Sequence, residues 1–456
     1  MIAVLVAIAV MLAAGLPAAL AIEPRARGLY LTGLAFLYGS ALVFVTMLVL
    51  ALAHIGWSVA IVLIALAVIA GALALIAVRR LRRSAAETNP VIRGGLLDAS
   101  IFTASAIGLD LCTLLVLVSY CFYTTLAPLW EWDFWAIWGL KARVFAAAGG
   151  IDWRFLESEW NRFVHPDYPL LLPLNLDFIA LLNGGWSDRW LGLLNVAFAA
   201  AGLGIVRSLV RREQPPVVAS LATLAVATTA ATRFVGLGEG PLIAFGAVAV
   251  LMLRRALATG DAAARLHGVL LLGFAASCKN EGLALLIAVA IALFIAGEGS
   301  LLSKDRFRSI ANLWPALVAI APWMLMRATH SLGTDIASGP VLVRMAAHLR
   351  HAGEIAIMLG HQSVDRAAWI ACLAGLFIAG GRELRRERFV LVAMAVQLVF
   401  FLLSYLATPN DVGWHIATSW SRLMSQLAIP ITVVVSLMLA RNIRGETAQN
   451  MSGRTL

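Results

Sequence analysis

The chain has 456 residues, of which 61% are hydrophobic and only 13% are charged. Soluble globular proteins are about 45–50% apolar and about 25% charged, so this composition excludes a cytosolic enzyme, a secreted domain and a disordered chain. Apolar runs long enough to cross a hydrocarbon layer of about 30 Å recur along the whole length. The sequence therefore predicts an all-α polytopic protein that crosses a membrane many times.

Thirteen apolar segments follow one another and are predicted to be membrane-spanning helices. They lie near residues 3–22, 28–53, 57–79, 98–127, 189–207, 216–233, 239–254, 266–280, 282–297, 309–327, 367–381, 389–407 and 422–440. The first three carry few polar residues, so we interpret 1–97 as appended N-terminal helices. Segment 98–440 holds nearly all the candidate chemistry, and 441–456 is predicted to be a cytoplasmic tail.

The net charge of +10 is explained by where the basic residues lie between the predicted spans. Alternation of the spans brings the basic clusters to one side, which agrees with the positive-inside rule. The rule places the amino terminus outside and the carboxyl terminus in the cytoplasm, and no nucleic-acid partner is indicated. Four cysteines without paired spacing favour buried apolar side chains over a disulfide framework or a zinc site.

Two long loops are predicted on the non-cytoplasmic side, at 128–188 and 328–366. Loops of this length usually carry function. In the first, a helix is predicted from Asp133 to Ala148, and an amphipathic stretch from Trp153 to Phe163. Tryptophans recur throughout this loop, and tryptophan favours the headgroup level of a bilayer. We therefore expect the loop to lie along the membrane surface.

The strongest candidate for a catalytic residue is Asp133, directly after the fourth span. A carboxylate among aromatic rings at the bilayer edge is partly desolvated, which strengthens its basicity. Glu131 precedes it, and Lys141 follows about two helical turns later on the same face. The alternative is an acid at a helix start, where it is favourable without any ligand.

A proline-rich stretch, His165-Pro-Asp167-Tyr168-Pro-Leu-Leu-Leu-Pro173, follows in the same loop. Three prolines in so short a stretch disfavour a regular helix and predict a rigid, extended entry to membrane depth. Non-helical backbone at that depth is tolerated where it lines a cavity. His165, Asp167 and Tyr168 are therefore predicted at the rim of a cavity, and a stiff connector without a ligand is the alternative.

Charged residues also lie at the heads of later spans. Glu239 heads the seventh span, and Lys279 and Glu281 join the eighth to the ninth with almost no loop. Charges held so tightly between spans are costly, so they should face the bundle interior, paired or ligand-bound. A simple pair of Lys279 with Glu281 is the alternative.

Further polar residues belong to the last predicted span and to the fourth. His415 and Arg422 lie at the outer start of the last span, on the same side as the other candidates. Asp110 lies in the middle of the fourth span, where a carboxylate is expensive. No basic residue is expected at the depth of Asp110.

A cofactor is not indicated by any pattern in the chain. His348 and His351 in the second loop have a spacing that places two metal ligands on one helix face. No third ligand is evident nearby, so a solvated helix face is the favoured interpretation and no metal is predicted.

The outer candidates together resemble the GT-C glycosyltransferases, which take sugar from a polyprenyl-phosphate carrier on the non-cytoplasmic face. Protein O-mannosyltransferases and lipid A aminoarabinose transferases are examples. In that superfamily an acid at the start of the first large outer loop acts as catalytic base, and Asp133 occupies that place. The stretch 165–173 is similar to the proline-rich segment that follows.

Three further motifs carry the resemblance. Glu239-Gly-Pro-Leu242 is similar to an acidic Asp-x-Pro-Leu motif, and Cys278-Lys279-Asn-Glu-Gly282 is similar to a Thr-Lys-Gly-like turn. Arg422 with Pro430 resembles an Arg that opens a late span before a proline. The likeness covers roughly residues 98–440 and implies a GT-C-like catalytic unit in the cell (inner) membrane, with its active site on the periplasmic or extracellular side.

The resemblance implies one inverting displacement. Asp133 would accept the proton of an acceptor hydroxyl on a lipid, glycan or protein as the hydroxyl attacks the anomeric carbon. Cationic side chains would stabilise the lipid phosphate that leaves. Lys279 and Arg422 are the predicted phosphate ligands, Lys141 is a third candidate, and the remaining substrate contacts are assigned to His165, Asp167, Tyr168, Glu239, Glu281 and His415.

Two alternatives from other classes remain open at this point. One is a transporter or flippase of a lipid-linked substrate, but transporters usually place polar residues at mid-bilayer in two related halves. The other is a polysaccharide ligase or polymerase that works on lipid-linked sugars. Polar residues at one outer face, without matching halves, favour the glycosyltransferase.

Overall fold

The computed structural model describes residues 1–86, 104–126, 128–297, 304–334, 336, 338–363 and 365–452. Within these ranges every regular element is helical and no strand occurs, which confirms the predicted all-α fold class. The boundary predicted at residue 97 and the last four residues of the tail lie outside the described residues, so the predicted division into units stays a prediction.

The helices follow one another with short connections. In chain order they are α1 (Ile2–Ile22), α2 (Gly28–Leu52), α3 (Val59–Ala86), α4 (Ala104–Leu126), α5 (Gly139–Ala148), α6 (Trp153–Glu157), α7 (Leu171–Asn183), α8 (Gly192–Arg211), α9 (Pro216–Val226), α10 (Glu239–Thr259), α11 (Ala262–Ala276), α12 (Asn280–Ala296), α13 (Lys304–Ala311), α14 (Trp314–Thr329), α15 (Val341–Leu349), α16 (Ala352–Gln362), α17 (Arg366–Arg386), α18 (Arg388–Ala407) and α19 (Val412–Ser452). Two π-helical segments, Phe134–Trp138 and Ala227–Ala231, and a 3₁₀ helix, Glu159–Val164, complete the set.

In the described part of the chain, nine helices are long and apolar enough to cross a membrane: α1, α2, α3, α4, α8, α10, α17, α18 and α19. Four shorter apolar segments, at 171–183, 216–231, 262–276 and 280–296, lie among them. The multi-pass architecture is therefore supported by the structure, whereas the count of thirteen spans stays a prediction.

The first two helices pack closely through glycines. A Cβ on Gly15 would lie 1.9 Å from the carbonyl oxygen of Ala35, and a Cβ on Gly39 would lie 1.7 Å from that of Met11. Only glycine allows this backbone approach, which is the usual way in which apolar helices associate in a bilayer. The α2 helix also packs on α7 and α8, so α2 shares the core of the bundle.

A buried helix replaces part of the predicted extended stretch. Residues Leu171–Asn183 form α7, whose side chains from Leu171 to Ala180 are buried. Pro173 lies in its first turn, where a missing N–H removes no intrahelical hydrogen bond. The prediction of non-helical backbone through Pro173 is therefore wrong beyond Leu170.

Asp110 also differs from the sequence-based expectation. Its carboxylate accepts two hydrogen bonds from Arg207 of α8, at 2.8 and 2.6 Å. The expectation that no basic residue lies at its depth is wrong, because the packing of α4 against α8 brings the Arg207 guanidinium to this carboxylate.

The two ends of the bundle carry different charged groups. In α10, Glu239 begins the helix and Arg254 lies in its last two turns, about 22 Å further along the axis at 1.5 Å per residue. In the same way Arg422 and Arg441 lie far apart on α19. These two helices therefore separate two sets of ionisable side chains.

Candidate functional site

Five charged residues from four separate regions of the chain meet at one end of the bundle. We call them the Arg422 cluster; its members are Asp133, Glu239, Lys279, Glu281 and Arg422. Asp133 precedes the π-helical segment, Glu239 begins α10, Lys279 and Glu281 lie at the start of α12, and Arg422 is on α19. All five are candidates from the sequence, and the structure brings them into one connected network.

Both cations of the cluster approach a single oxygen atom. Lys279 Nζ lies 2.8 Å from Glu239 Oε1, and Arg422 Nη1 lies 3.7 Å from the same atom. Lys279 Nζ also contacts Glu281 Oε1 at 2.7 Å, and Arg422 donates directly to the Asp133 carboxylate. Glu239 Oε1 therefore lies between the two cations, bonded to Lys279 and within ion-pair distance of Arg422.

The Lys279 turn depends on a glycine. Residues 277–279 separate α11 from α12, and a Cβ on Gly282 would lie 2.0 Å from the carbonyl oxygen of Ala275. Glycine thus allows α12 to start directly against the end of α11. Burial alone would lower the pKa of Lys279, but the carboxylates of Glu239 and Glu281 outweigh it and raise the pKa. The lysine is therefore held as a cation.

An aromatic segment, Phe134–Trp138, brings Asp133 to the cluster. Phe134 and Trp138, in the π-helical segment, are buried. The indole of Trp138 lies so close to Gly238 that a Cβ there would meet the ring at 2.6 Å. Because Gly238 directly precedes Glu239, this contact fixes the segment against the start of α10. π-helical turns are rare and recur at functional sites.

Glu131 lies beside the cluster without a direct contact to its cations in the described structure. Burial raises its pKa, Arg422 acts against that rise, and Asp133 and Glu239 add to it. Glu131 is thus a second carboxylate within the electrostatic reach of Arg422, and it serves as the natural comparison for Asp133.

The turn that follows the 3₁₀ helix packs against the Lys279 turn. His165 has a left-handed backbone, with φ 48°, and its carbonyl accepts the N–H of Tyr168 at 3.0 Å. Asp167, 1% exposed, accepts from Asn280 Nδ2 at 2.6 Å. The Leu171 N–H donates to the Ser277 carbonyl at 3.1 Å. These bonds connect the predicted rim residues to the residues on both sides of Lys279.

Aromatic rings form a short stack over this turn. The His165 ring stacks on Tyr168 at 4.6 Å, and Tyr168 stacks on Trp138 at 5.6 Å between centroids. The Lys279 ammonium lies 5.7 Å from the centroid of the Tyr168 ring, within the range of a cation–π contact. Burial raises the pKa of Tyr168 above its ordinary value, so its hydroxyl stays protonated.

Lys141 is fully buried at this end of the bundle. Its Nζ donates to the His165 carbonyl at 2.6 Å and lies 5.6 and 5.7 Å from the ring centroids of Trp138 and Tyr168. Burial lowers the pKa of Lys141 to about 7, although Asp167 acts in the opposite direction. The contacts it makes are with the protein, and its predicted substrate contact stays a prediction.

His415 lies on α19 two turns before Arg422, and thus on the same face of the helix. Its ring packs edge-on against Tyr405 at 4.9 Å, and the Tyr405 hydroxyl lies 2.8 Å from Ser419 Oγ. The structure therefore places His415 near Arg422, on the side of α18. Its role in substrate binding stays a prediction.

Several buried atoms of the cluster and of the adjoining Asn280 keep unused hydrogen-bonding capacity. Within the described part of the chain, Glu239 Oε2, Glu281 Oε2, Asn280 Oδ1 and Arg422 Nε are buried without a hydrogen-bond partner. Buried polar atoms are normally satisfied, so each exception requires an explanation. The three oxygens would be satisfied by O–H or N–H groups of a ligand that enters between α10, α12 and α19, and Arg422 Nε would be satisfied by an acceptor on the ligand.

Three neighbours of the cluster were not among the sequence candidates. Asn280 holds Asp167, Gln397 Nε2 donates to the Glu281 carbonyl at 3.0 Å, and Arg327 Nη2 lies 3.9 Å from Asp167. Asn280 lies within the polar run 279–281, which was a usable signal. Gln397 is a single amide in an apolar span, which marks an interior position but no particular partner.

Metal coordination finds no support among the residues that the structure describes, where no three His, Cys, Asp or Glu side chains are grouped to hold an ion. His348 Nδ1 bonds the Leu406 carbonyl at 2.9 Å, and His351 Nδ1 lies 3.5 Å from Glu354. These two histidines therefore have separate protein contacts.

Comparison with known proteins gives no match: no protein-family model, no curated protein and no solved structure matches this chain.

Proposed function

We propose that the protein is a membrane glycosyltransferase of the GT-C type, which moves a sugar from a polyprenyl-phosphate donor to an acceptor hydroxyl on the non-cytoplasmic face of the cell (inner) membrane. The observation that carries the proposal is the Arg422 cluster, in which two cations share one buried oxygen beside a carboxylate on an interfacial segment. The motif resemblance over residues 98–440 supports the same function.

Recognition of the donor phosphate is an exchange of anions. Lys279 and Arg422 are neutralised by carboxylates within the cluster. A phosphate oxygen would replace Asp133 at Arg422, and it would accept a further N–H of Lys279, which keeps its contacts to Glu239 and Glu281. Charge-assisted bonds from a guanidinium suit this task, because its planar fork can contact two phosphate oxygens. A small cleft, lined by Leu242, Gly246, Leu285, Gln426, Leu427 and Pro430, lies about one helical turn from the cluster, and the prenyl chain would approach from that side.

The exchange also prepares the base. When the phosphate binds the Arg422 guanidinium, the Asp133 carboxylate loses its ion-pair partner. It can then accept the proton of the acceptor hydroxyl. The hydroxyl oxygen then forms a bond to the anomeric carbon as the bond from that carbon to the phosphate oxygen breaks. The electron pair leaves with the lipid phosphate, which Lys279 and Arg422 stabilise. Attack opposite to the leaving group inverts the anomeric centre.

The proposal is tested by transfer from a polyprenyl-phosphate sugar in proteoliposomes. We expect Asp133→Asn to reduce the transfer rate by about 10²–10⁴-fold, the usual contribution of a general base, while the protein still inserts and still binds donor. Glu131→Gln is the matched control, since Glu131 lies two residues away and makes no direct contact with Lys279 or Arg422 within the described structure.

The outcomes separate the classes of function. Small, equal losses in both variants would contradict a base at Asp133, and a dominant loss in Glu131→Gln would assign the base to Glu131. A transporter would carry the intact donor across the bilayer without consuming it, so translocation in the absence of transfer would replace the glycosyltransferase by that class. A ligase or polymerase would yield a product that carries more than one sugar unit.

A further inference from the structure

Lys141 is unusual because a charged side chain is buried completely in an interfacial helix. It lies 0% exposed, on α5, among aromatic rings. A fully buried lysine is rare unless it is paired, and its hydrogen-bond acceptor here is the backbone carbonyl of His165, at 2.6 Å. The group therefore contributes to the position of a backbone segment.

The segment that Lys141 holds is strained. His165 has φ 48°, a left-handed conformation that is unfavourable for a residue with a Cβ. Its carbonyl accepts both Lys141 Nζ and the Tyr168 N–H. Such a conformation persists only where surrounding contacts determine it, and the hydrogen bond of 2.6 Å from Lys141 Nζ is one of these contacts.

The turn at 165–168 contacts Lys279, the proposed phosphate ligand, and the residues on both sides of it. Tyr168 presents its ring to Lys279, with 5.7 Å between the ammonium and the centroid. Asp167 accepts from Asn280, the residue after Lys279, and the Leu171 N–H donates to Ser277, two residues before it. Any displacement of the turn would therefore change the surroundings of Lys279.

We propose that Lys141 is a positioning residue, which holds the turn 165–168 against the Lys279 turn and so fixes the geometry of the donor-phosphate site. The role in donor binding rests on the proposed function, whereas the role in holding the turn does not. Lys141 acts through the His165 carbonyl and the Tyr168 ring.

The experiment compares Lys141→Met, which keeps the length of the side chain, with Arg143→Met, which removes an exposed charge from the same helix. Hydrogen–deuterium exchange is measured on the full-length protein in nanodiscs. We expect exchange in the peptide covering 165–171 to accelerate about ten-fold or more in Lys141→Met only, because a local opening is favoured, and Lys141→Arg to restore part of the protection.

Binding of a polyprenyl-phosphate sugar provides the second measurement. Loss of the positioned site should weaken donor affinity by about 10- to 100-fold in Lys141→Met and leave it unchanged in Arg143→Met. Unchanged exchange at 165–171, or acceleration spread equally over all helices, would overturn the positioning role. Local acceleration with unchanged donor affinity would leave that role intact and contradict the proposed phosphate site at Lys279.

Discussion

Two charged clusters lie at opposite ends of α10 and α19, and each combines three carboxylates with two cations. One is the Arg422 cluster. The second, which we call the Arg254 cluster, contains Glu213, Arg254, Glu383, Glu387 and Arg441. It lies at the end of the bundle that the distribution of basic residues places in the cytoplasm.

The Arg254 cluster is a network of guanidinium–carboxylate ion pairs. Arg254 binds Glu213 through two bonds of 2.6 and 3.0 Å and Glu387 through two bonds of 2.7 Å. Arg441 donates to Glu383 and Glu387, both at 2.7 Å. Bidentate pairs of this kind have defined geometry. Burial alone would raise the pKa of Glu387, but its bonds to Arg254 outweigh burial and lower the pKa.

The difference between the clusters lies in how completely the charges are satisfied. In the Arg254 cluster both carboxylate oxygens of Glu213 and of Glu387 accept guanidinium bonds, so the cluster joins α10, α18 and α19 without a ligand. Its Arg441 Nη1 is buried without a hydrogen bond in the described structure and lies 3.9 Å from Glu213. In the Arg422 cluster, carboxylate oxygens of Glu239 and Glu281 are buried and unpartnered within the described residues. The clusters therefore differ in their carboxylates: carboxylates paired through both oxygens join helices, whereas buried carboxylate oxygens without a donor mark the Arg422 cluster as the candidate binding site.

The largest expected effect on stability comes from breaking the Arg254 cluster. Arg254→Met leaves the carboxylate of Glu387, which is 1% exposed, without its main partner. Removal of one member of a buried pair typically costs about 3–5 kcal/mol. The neighbouring Arg255→Met, which loses a more exposed contact to Asp261 at 3.3 Å, should cost less than about 1 kcal/mol. The free energy of unfolding is measured by SDS titration in mixed micelles. Equal losses in Arg254→Met and Arg255→Met would contradict a stabilising role of the Arg254 cluster.

The next effect is on ligand affinity at the Arg422 cluster. Arg422→Met removes a charge-assisted contact of about 1.5–3 kcal/mol, so donor affinity should fall by about 10- to 150-fold. Its unfolding free energy should change less than that of Arg254→Met, because its partner Asp133 is 23% exposed and can be hydrated. Arg233→Met, which breaks an ion pair with Asp365, is the control. Unchanged donor affinity in the Arg422 variant would refute the phosphate contact.

A double variant tests whether Lys279 also contributes to donor binding. Lys279→Met alone would leave Glu239, which is 0% exposed, as an unpaired charge, and its instability would obscure any effect on binding. Lys279→Met combined with Glu239→Gln removes both charges and keeps the side chains similar in size. We expect a folded protein whose donor affinity falls by about 10- to 150-fold. A double variant that binds donor as well as the wild type would exclude Lys279.

A smaller effect follows from pH, through Lys141. Its pKa is about 7 in the folded protein and about 10.4 in an unfolded chain. Between these two values the unfolded chain binds one more proton, so stability should rise with pH by up to about 1.4 kcal/mol per unit. His165, Asp167 and Tyr168 face this lysine, and Asp167 supports its charge. The slope attributable to Lys141 should disappear in Lys141→Met and persist in Arg143→Met.

The least perturbing test determines which end of the bundle faces the outside of the cell. In a cysteine-free background, Ser158→Cys probes the end that carries the Arg422 cluster, and Thr259→Cys probes the end that carries the Arg254 cluster. A membrane-impermeant maleimide added outside the cell should label the first and spare the second. The reverse pattern would overturn the predicted orientation.

The sequence by itself determined the class of the protein and most of the candidate side chains. Apolar runs dictate helices in a bilayer, because only helices and closed barrels satisfy the backbone there. Charges at the ends of such runs are conspicuous for the same reason, which is why Asp133, Glu239, Lys279 and Arg422 were recognisable. The polar run at 279–281, set between two apolar runs with almost no loop, likewise indicated a tight connection.

Only the tertiary structure decided which of these charges meet. Asp133 and Arg422 are 289 residues apart in the chain, and spacing carries no information over such a distance. The same holds for Arg207, whose bond to Asp110 depends on the packing of α4 against α8. Lys141 shows most clearly what the sequence could not predict. Helical periodicity predicted that it shares a face with Asp133, whereas in the structure it is buried and bonded to the turn at 165–168.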